Sequence, residues 1–141
     1  VFGEAGLRAL TGRRKLERAL RAARKWTDAW LGVTAGARGV LWLEGQDIHE
    51  MPGFSVDSID TLGAGDVFHG AFALALAEGH DELAAIRFAQ AAAALKTTRF
   101  GGREGSPRRA EVDAFLAERP DAVVSVVPPL RRRMRRAFTR A

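Results

Sequence analysis

"DTLGAGDVFHGAFALALAEG", Asp60 to Gly79, sets a bend of small residues against an apolar run, with one acid between them. Gly63, Ala64 and Gly65 have at most a methyl group, so the main-chain N–H groups there can turn toward one point unobstructed. The run after Asp66 is apolar nearly all round, which predicts a helix buried on most sides and ended by Gly79. A helix that begins at such a bend leaves several N–H groups without an internal acceptor. Together with the helix dipole they make a site for an anion such as a phosphate. Asp66 would repel that anion, and its position admits two readings. It can be an N-cap over a tight turn. It can also accept the proton of an incoming hydroxyl that then attacks the phosphorus, the pairing of base and anion site that phosphoryl transfer needs.

Upstream of the bend, "LRALTG" reads as the end of a short helix stopped by Gly12. In "RRKLERALRAARKW", Leu16, Leu20, Ala23 and Trp26 or Thr27 recur at helical spacing among arginines, which predicts a surface helix with one buried stripe. "AWLGVT" (Ala29 to Thr34), "GVLWLEG" (Gly39 to Gly45) and "QDIHEMP" predict three strands, the last two joined by a turn at Gly45 to Asp47. Downstream, "DELAAIRFAQAAAALKTTR" predicts a helix with acids first and Lys96 and Arg99 last, the order that complements its dipole. Its alanines let another element or a ligand come close. "FGGREG" reads as a loop, and Ser106 as the cap of a helix with Pro107 in its first position and Val112, Phe115 and Leu116 inward. "PDAVVSVVPP" reads as a last strand or a linker. Strands followed by helices imply an α/β layered fold, in which ligands gather at the carboxyl ends of the strands.

The chain has 141 residues, the size of one domain, and 47% of them are apolar. It has no cysteine, which excludes disulfides and thiolate metal sites and suits a cytoplasmic location. No apolar stretch is long enough and free enough of charge to predict a membrane span, and no signal peptide is visible. The net charge is +5, but six arginines lie in "LRRRMRRAFTRA", Leu130 to Ala141; without them the balance is −1. The basic character therefore belongs to a terminal segment, and a nucleic-acid partner is expected only through it. There Leu130, Met134 and Phe138 fall at i, i+4 and i+8, so an amphipathic basic helix could meet an acidic membrane or RNA; a frayed, solvated terminus is the plain alternative. His49, His69 and His80 share no metal-ligand spacing, and Trp26, Trp30 and Trp42 read as core.

"DTLGAGDVFHGAF" resembles the second signature of the ribokinase-like (PfkB) family of carbohydrate kinases, D-T-x-G-A-G-D followed by a helix of small residues. "LRALTG", "VTAGARGVLW" and "AAAALKTTRFGG" stand in the family's order around it, and the similarity covers residues 1–118. The chain has no G-x-x-x-x-G-K-[ST] phosphate loop. The resemblance implies a Rossmann-like, ribokinase-type layered α/β fold and an ATP-dependent kinase acting on a sugar hydroxyl. Residues 1–118 would be the C-terminal part of the kinase domain, and 119–141 a last strand or linker with the arginine-rich tail. By position, Asp66 would be the catalytic base, and the amides of Gly63, Ala64 and Gly65 the anion hole. Thr34, Ala35, Gly36, Ala37, Arg38, Gly39 and Gln90 would line the nucleotide site. The family's monovalent cation, K⁺, would take the Asp60 carboxylate and the carbonyls of Leu62, Lys96, Arg99, Gly101 and Gly105.

Two departures from the family pattern stand out. The family's N-x-x-E motif, whose Glu organises the Mg²⁺ shell, has Gly3 and Gly6 at the matching positions, with Glu4 the nearest acid. Family members are also about twice this length, and the half that supplies the lid and most sugar contacts has no counterpart here. A nucleotide-binding fragment without turnover, or an interaction module using the tail, is the alternative to a sugar kinase. "TRFGGREGSPRRAEVDAFL" is more similar to fructose-type and sulfofructose-type kinases than to adenosine-type ones. The partners so implied are ATP and a small sugar, with a homodimer possible and no membrane.

Overall fold

Alternation within three short apolar segments builds a sheet with two covered faces. The computed structural model describes residues 1–119 and 123–128; the arginine-rich segment, with the helix or frayed end expected there, lies outside them. The sheet has five strands in sequence order: β1 (Phe2–Gly3), β2 (Leu31–Thr34), β3 (Val40–Glu44), β4 (Asp47–Met51) and β5 (Ser125–Val127). β1 runs parallel to β2, with Phe2 opposite Val33, and every later pair is antiparallel. Leu31 stands opposite Leu43, Val40 opposite Met51, and Ile48 opposite Val127. The expected layered α/β class is present. Within the segment read as strand or linker, Ser125–Val127 form the edge strand β5.

Side chains of a strand alternate between faces, and here each face has its own helical layer. Leu31, Val33, Leu41, Leu43 and Ile48 pack with Leu7 of α1 (Glu4–Thr11) and with Leu16, Ala19, Leu20 and Ala23 of α2 (Leu16–Ala23). Val40, Trp42 and Met51 pack on the other face with Phe68, Phe72 and Ala75 of α3 (Ala64–Ala77) and Ala85, Ile86 and Ala89 of α4 (Glu82–Thr97). A last helix, α5 (Arg109–Ala117), sets Val112 and Phe115 against Ala91 and Ala92 of α4. Each fully buried Leu or Ile contributes roughly 1.5–3 kcal/mol by leaving water.

Helix ends follow from local chemistry. Gly12 takes the left-handed conformation (φ 64°) that closes α1, as its sequence signals. Asp81 accepts a hydrogen bond from the Ala84 N–H at 2.8 Å and starts α4. α5 departs from expectation: Arg108, not Ser106, is its N-cap, so Pro107 lies before the helix. The Glu111 carboxylate accepts from the Arg108 N–H at 2.6 Å and does the capping that the serine was expected to do.

Two further expectations are corrected. The arginine-rich helix is shorter than its pattern, because Arg24–Trp26 tighten into a 3₁₀ turn after α2. That turn carries Trp26 off the buried stripe, leaving it 51% exposed under the Lys25 ammonium, while Trp42 is buried and Trp30 stacks on Phe72. The second correction concerns α3. It is apolar all round, yet only Phe68, Phe72 and Ala75 are buried, and Leu74 and Leu76 face outward. Among the described residues no helix is long and apolar enough to cross a membrane.

Candidate functional site

Past the carboxyl end of β2 the chain turns through Gly36–Arg38 and re-enters the sheet at Val40. The turn passes so close to the segment after β4 that side chains are excluded. A methyl group on Gly39 would lie 2.1 Å from the Met51 carbonyl oxygen, and its φ of 99° strains any L-residue. A methyl on Gly53 would lie 2.9 Å from the Ala37 oxygen. These bare backbones form one wall of a cavity of about 520 Å³. Thr34, Gly36, Ala37 and Gly39 line it together with Gln90, as the resemblance implies for a nucleotide site. Ala93 and Ala94 of α4 line it too, where the alanine run admits a close approach. Gln90 is buried, and its Nε2 donates to the Met51 carbonyl at 3.0 Å, which ties α4 to the end of β4.

Arg38 and Ala35 differ from the other residues named for the nucleotide. The Arg38 guanidinium turns away from the cavity and meets Glu50 at 2.7 Å and Glu17 at 3.1 Å. Glu50, with Glu17 after it, holds that guanidinium well above its ordinary range, so the charge serves to pin α2 to β4. Ala35 packs on the core beside α1 and α2, and its N–H closes the turn by donating to Gly39 O.

At the opposite wall, Ala64 and Gly65 begin α3. Gly63 is its N-cap with φ 76°, a left-handed conformation suited to glycine. The Ala64 N–H donates to Thr61 O at 3.2 Å, and Val67 N–H to Gly63 O at 2.9 Å. The Gly65 and Asp66 N–H groups between them have no helical acceptor and stay available to an anion. Asp66 is exposed in the first turn, and among the described residues no hydrogen bond or ion pair engages its carboxylate. It caps nothing, since no side-chain cap bond is made at this helix start. One turn on, His69 Nδ1–H donates to Gly65 O at 2.7 Å, which spends the ring on its own helix.

Beneath the bend lies the set named for a monovalent cation. Asp60 Oδ1 accepts from Leu62 N–H at 2.9 Å; Oδ2 accepts from Gly101 N–H at 3.1 Å and from Lys96 Nζ at 3.2 Å. Lys96 is fully buried, and its ammonium also donates to Asp60 O at 3.1 Å and Arg99 O at 3.3 Å. The Leu62 N–H, then Lys96, holds the Asp60 carboxyl below the usual aspartate range. Of the groups nominated for K⁺, the Asp60 carboxylate and the Arg99 carbonyl are thus taken by a side-chain cation. A second unit charge within about 4 Å of that ammonium would be repelled by about 4 kcal/mol near a protein surface, so K⁺ does not fit beside it. The Lys96 carbonyl instead accepts from Arg99 N–H at 3.1 Å, and the Gly101 carbonyl from Gly105 N–H at 2.8 Å. The Arg99 side chain pairs with Glu111 at 2.6 Å.

For Mg²⁺ no protein cage is built: among the described residues no three acidic or imidazole side chains converge. Glu4, the nearest substitute for the expected glutamate, is paired with Arg8 at 2.6 Å. The site also contains residues the sequence did not single out. Phe54, Ser55, Val56 and Ser58, in the irregular stretch between β4 and α3, line the cavity with Thr61, Phe68 and Thr97. A loop has no hydrophobic period, and the one local signal was the Pro52–Gly53 pair that marks where β4 stops.

Known proteins are similar to this chain in sequence and in fold. The ribokinase of Bacillus subtilis (strain 168) is 47% identical over 89 residues, which are 63% of this chain and 30% of that protein. The crystal structure of ribokinase from Thermotoga maritima superposes with a TM-score of 0.77 at 38% identity, covering 82% of this chain and 40% of that one. A fructokinase double mutant from Vibrio cholerae O395, solved with fructose, ADP and potassium ion bound, gives a TM-score of 0.74 at 33% identity over 82% of this chain and 39% of its own. This chain therefore spans well under half the length of the relatives it matches. The family described as pfkB family carbohydrate kinase matches residues 1–109, and the chain belongs to it.

Proposed function

We propose that this chain supplies the nucleotide site and the general base of an ATP-dependent carbohydrate kinase. The observation that carries the reading is the unengaged Asp66 carboxylate, next to Ala64 and Gly65, which line a cavity of about 520 Å³ that Asp66 itself does not line. The terminal phosphates of ATP would rest on the Gly63, Gly65 and Asp66 N–H groups, with the rest of the nucleotide along the Thr34–Gly39 turn and Gln90. Asp66 takes the proton of the sugar hydroxyl, and the oxygen so freed attacks the γ-phosphorus as its bond to the β–γ bridging oxygen breaks and ADP leaves, while the amides take up the charge on the phosphate oxygens. Mg²⁺, which neutralises phosphate charge in such transfers, would be held by the nucleotide, since the described residues offer no acid cage.

Ribose is the first sugar to test, because the more similar relatives act on it by name, with fructose second. Sulfofructose completes the set that the "TRFGGREG" segment suggests. Asp66→Asn should keep nucleotide affinity and lower sugar-dependent ADP formation by about 10²- to 10⁴-fold. Near-normal turnover in that variant would remove Asp66 from the role of base.

A second reading is a nucleotide-binding fragment without turnover. The Glu4–Arg8 pairing favours it, because it engages the nearest substitute for the expected glutamate. It predicts ATP binding by calorimetry with no phosphorylated sugar, and turnover by this 141-residue chain would exclude it.

A further inference from the structure

We propose that Lys96 is a built-in monovalent cation: its ammonium takes the place of K⁺ beneath the phosphate-binding bend, so this protein does not respond to K⁺. The side chain is fully buried at the last turn of α4, in a helix whose other buried positions are alanines, Ile86 and Gln90. A buried ammonium is retained only where acceptors surround it. Here they are Asp60 O, Asp60 Oδ2 and Arg99 O, at 3.1, 3.2 and 3.3 Å. The neighbourhood is dense in main-chain oxygen. A methyl placed on Gly105 would meet the carbonyl oxygens of Gly101, Phe100 and Arg99 at 2.5, 3.2 and 3.4 Å. The Asp60 carboxylate and carbonyl and the Arg99 carbonyl converge on one point, and the lysine supplies the positive centre there from within the chain.

The consequence reaches the anion site through the backbone. The ammonium joins Asp60, which opens the bend, to Arg99, which opens the following loop. Gly101 N–H reinforces the same joint at Asp60 Oδ2. Gly63 then lies directly on Gly102, the place of its missing methyl being 3.7 Å from the Gly102 Cα. Lys96 is therefore a positioning residue: it touches no substrate but fixes the bend whose Gly65 and Asp66 N–H groups are left without a helical acceptor.

The inference rests on the kinase reading for its purpose but not for its test. Thermal unfolding of the wild type, Lys96→Ala and Lys96→Met is followed in potassium chloride and in choline chloride at equal ionic strength. The wild type should show the same midpoint in both salts. Lys96→Ala, which empties the site, should be less stable in choline and recover selectively in potassium. Lys96→Met, which keeps the bulk and removes the charge, should be less stable in both. A wild type stabilised by potassium over choline overturns the proposal, and this arm stands whether or not either variant folds. A folded Lys96→Ala indifferent to potassium, or a Lys96→Met as stable as the wild type, also overturns it, because either would make the lysine a packing residue. ADP titration runs beside these scans. Lys96→Ala should lose about 5- to 150-fold in affinity in choline and regain it in potassium, the size of coupling usual between linked sites. Absence of nucleotide binding by the wild type in either salt would refute the proposed function and leave the unfolding result to decide the role of Lys96.

Discussion

α2 and α3 lie on opposite faces of one sheet and treat their apolar residues differently. In α2, Leu16, Ala19, Leu20 and Ala23 form a single stripe, all of it buried, while Arg18 faces water and the half-buried Arg21 reaches the Gln46 carbonyl. In α3 the apolar residues run all round, but burial stops at Phe68, Phe72 and Ala75, and Leu74 is left 49% exposed. A stripe states which side needs a partner. An all-apolar helix states only that partners are needed, and here the described residues provide for one side of it. The polar groups of α3, Asp66 and His69, lie at its start, next to the bend that would take an anion.

The sharpest way to test this contrast is to empty the buried side of each helix. Phe72 stacks on Phe68 and Trp30, with ring centroids 6.0 and 5.7 Å apart, and Phe72→Ala should lower unfolding free energy by about 3–5 kcal/mol. Leu20, with no exposed surface, should cost about 2–5 kcal/mol as Leu20→Ala. Urea denaturation of both variants checks the pair. If Phe72→Ala cost less than about 1 kcal/mol while Leu20→Ala cost its full amount, the α3 layer would be only loosely docked.

That contrast also shows why some of the molecule could be read in advance. β2, β3 and β4 are short apolar runs bounded by glycine turns, and their positions lie within two residues of those expected. The bend at Gly63 and the acid at Asp66 form a contiguous motif, so local chemistry alone raised the anion site. Lys96 stands at the helix end as its sequence suggests, but its burial is not legible there, for a physical reason. A lysine at the end of a helix reads as a charge complementing the dipole, and nothing nearby in sequence says that it is buried. Its partner Asp60 lies 36 residues away, and only the docking of α4 against the bend brings the two together. The loop after β4 was illegible for a similar reason, since Ser55 and Ser58 reach the cavity through tertiary packing and not through any local period. Trp26 was assigned to the core on a helical period that the 3₁₀ turn then broke.

A smaller effect is expected where α4 begins, because α4 is what covers the inner side of α3. Asp81→Ala removes the acceptor of the Ala84 N–H and should cost about 0.5–2 kcal/mol. Asp81→Ser should restore most of that. Equal losses in the two variants would mean that the aspartate acts by charge at the helix start and not by the cap bond.

The smallest effect belongs to the outer side of α3. Leu74→Ser replaces an apolar side chain that water already reaches over half its surface, so the exchange should move stability by no more than about 0.5 kcal/mol. Leu76, 39% exposed, should behave alike. The same chemical change at Leu20 would be severe, and the ratio of the two costs measures how one-sided α3 is in solution. The measurement is a denaturation series at two protein concentrations. A loss at Leu74 approaching that of Leu20→Ala, with a midpoint that rises with concentration, would mean that copies of the chain cover this face, since only association makes stability depend on concentration. A small loss independent of concentration leaves the face open to water and confines the stabilising contacts of α3 to the side that carries Phe68, Phe72 and Ala75, with Val67 and Ala71 beside them.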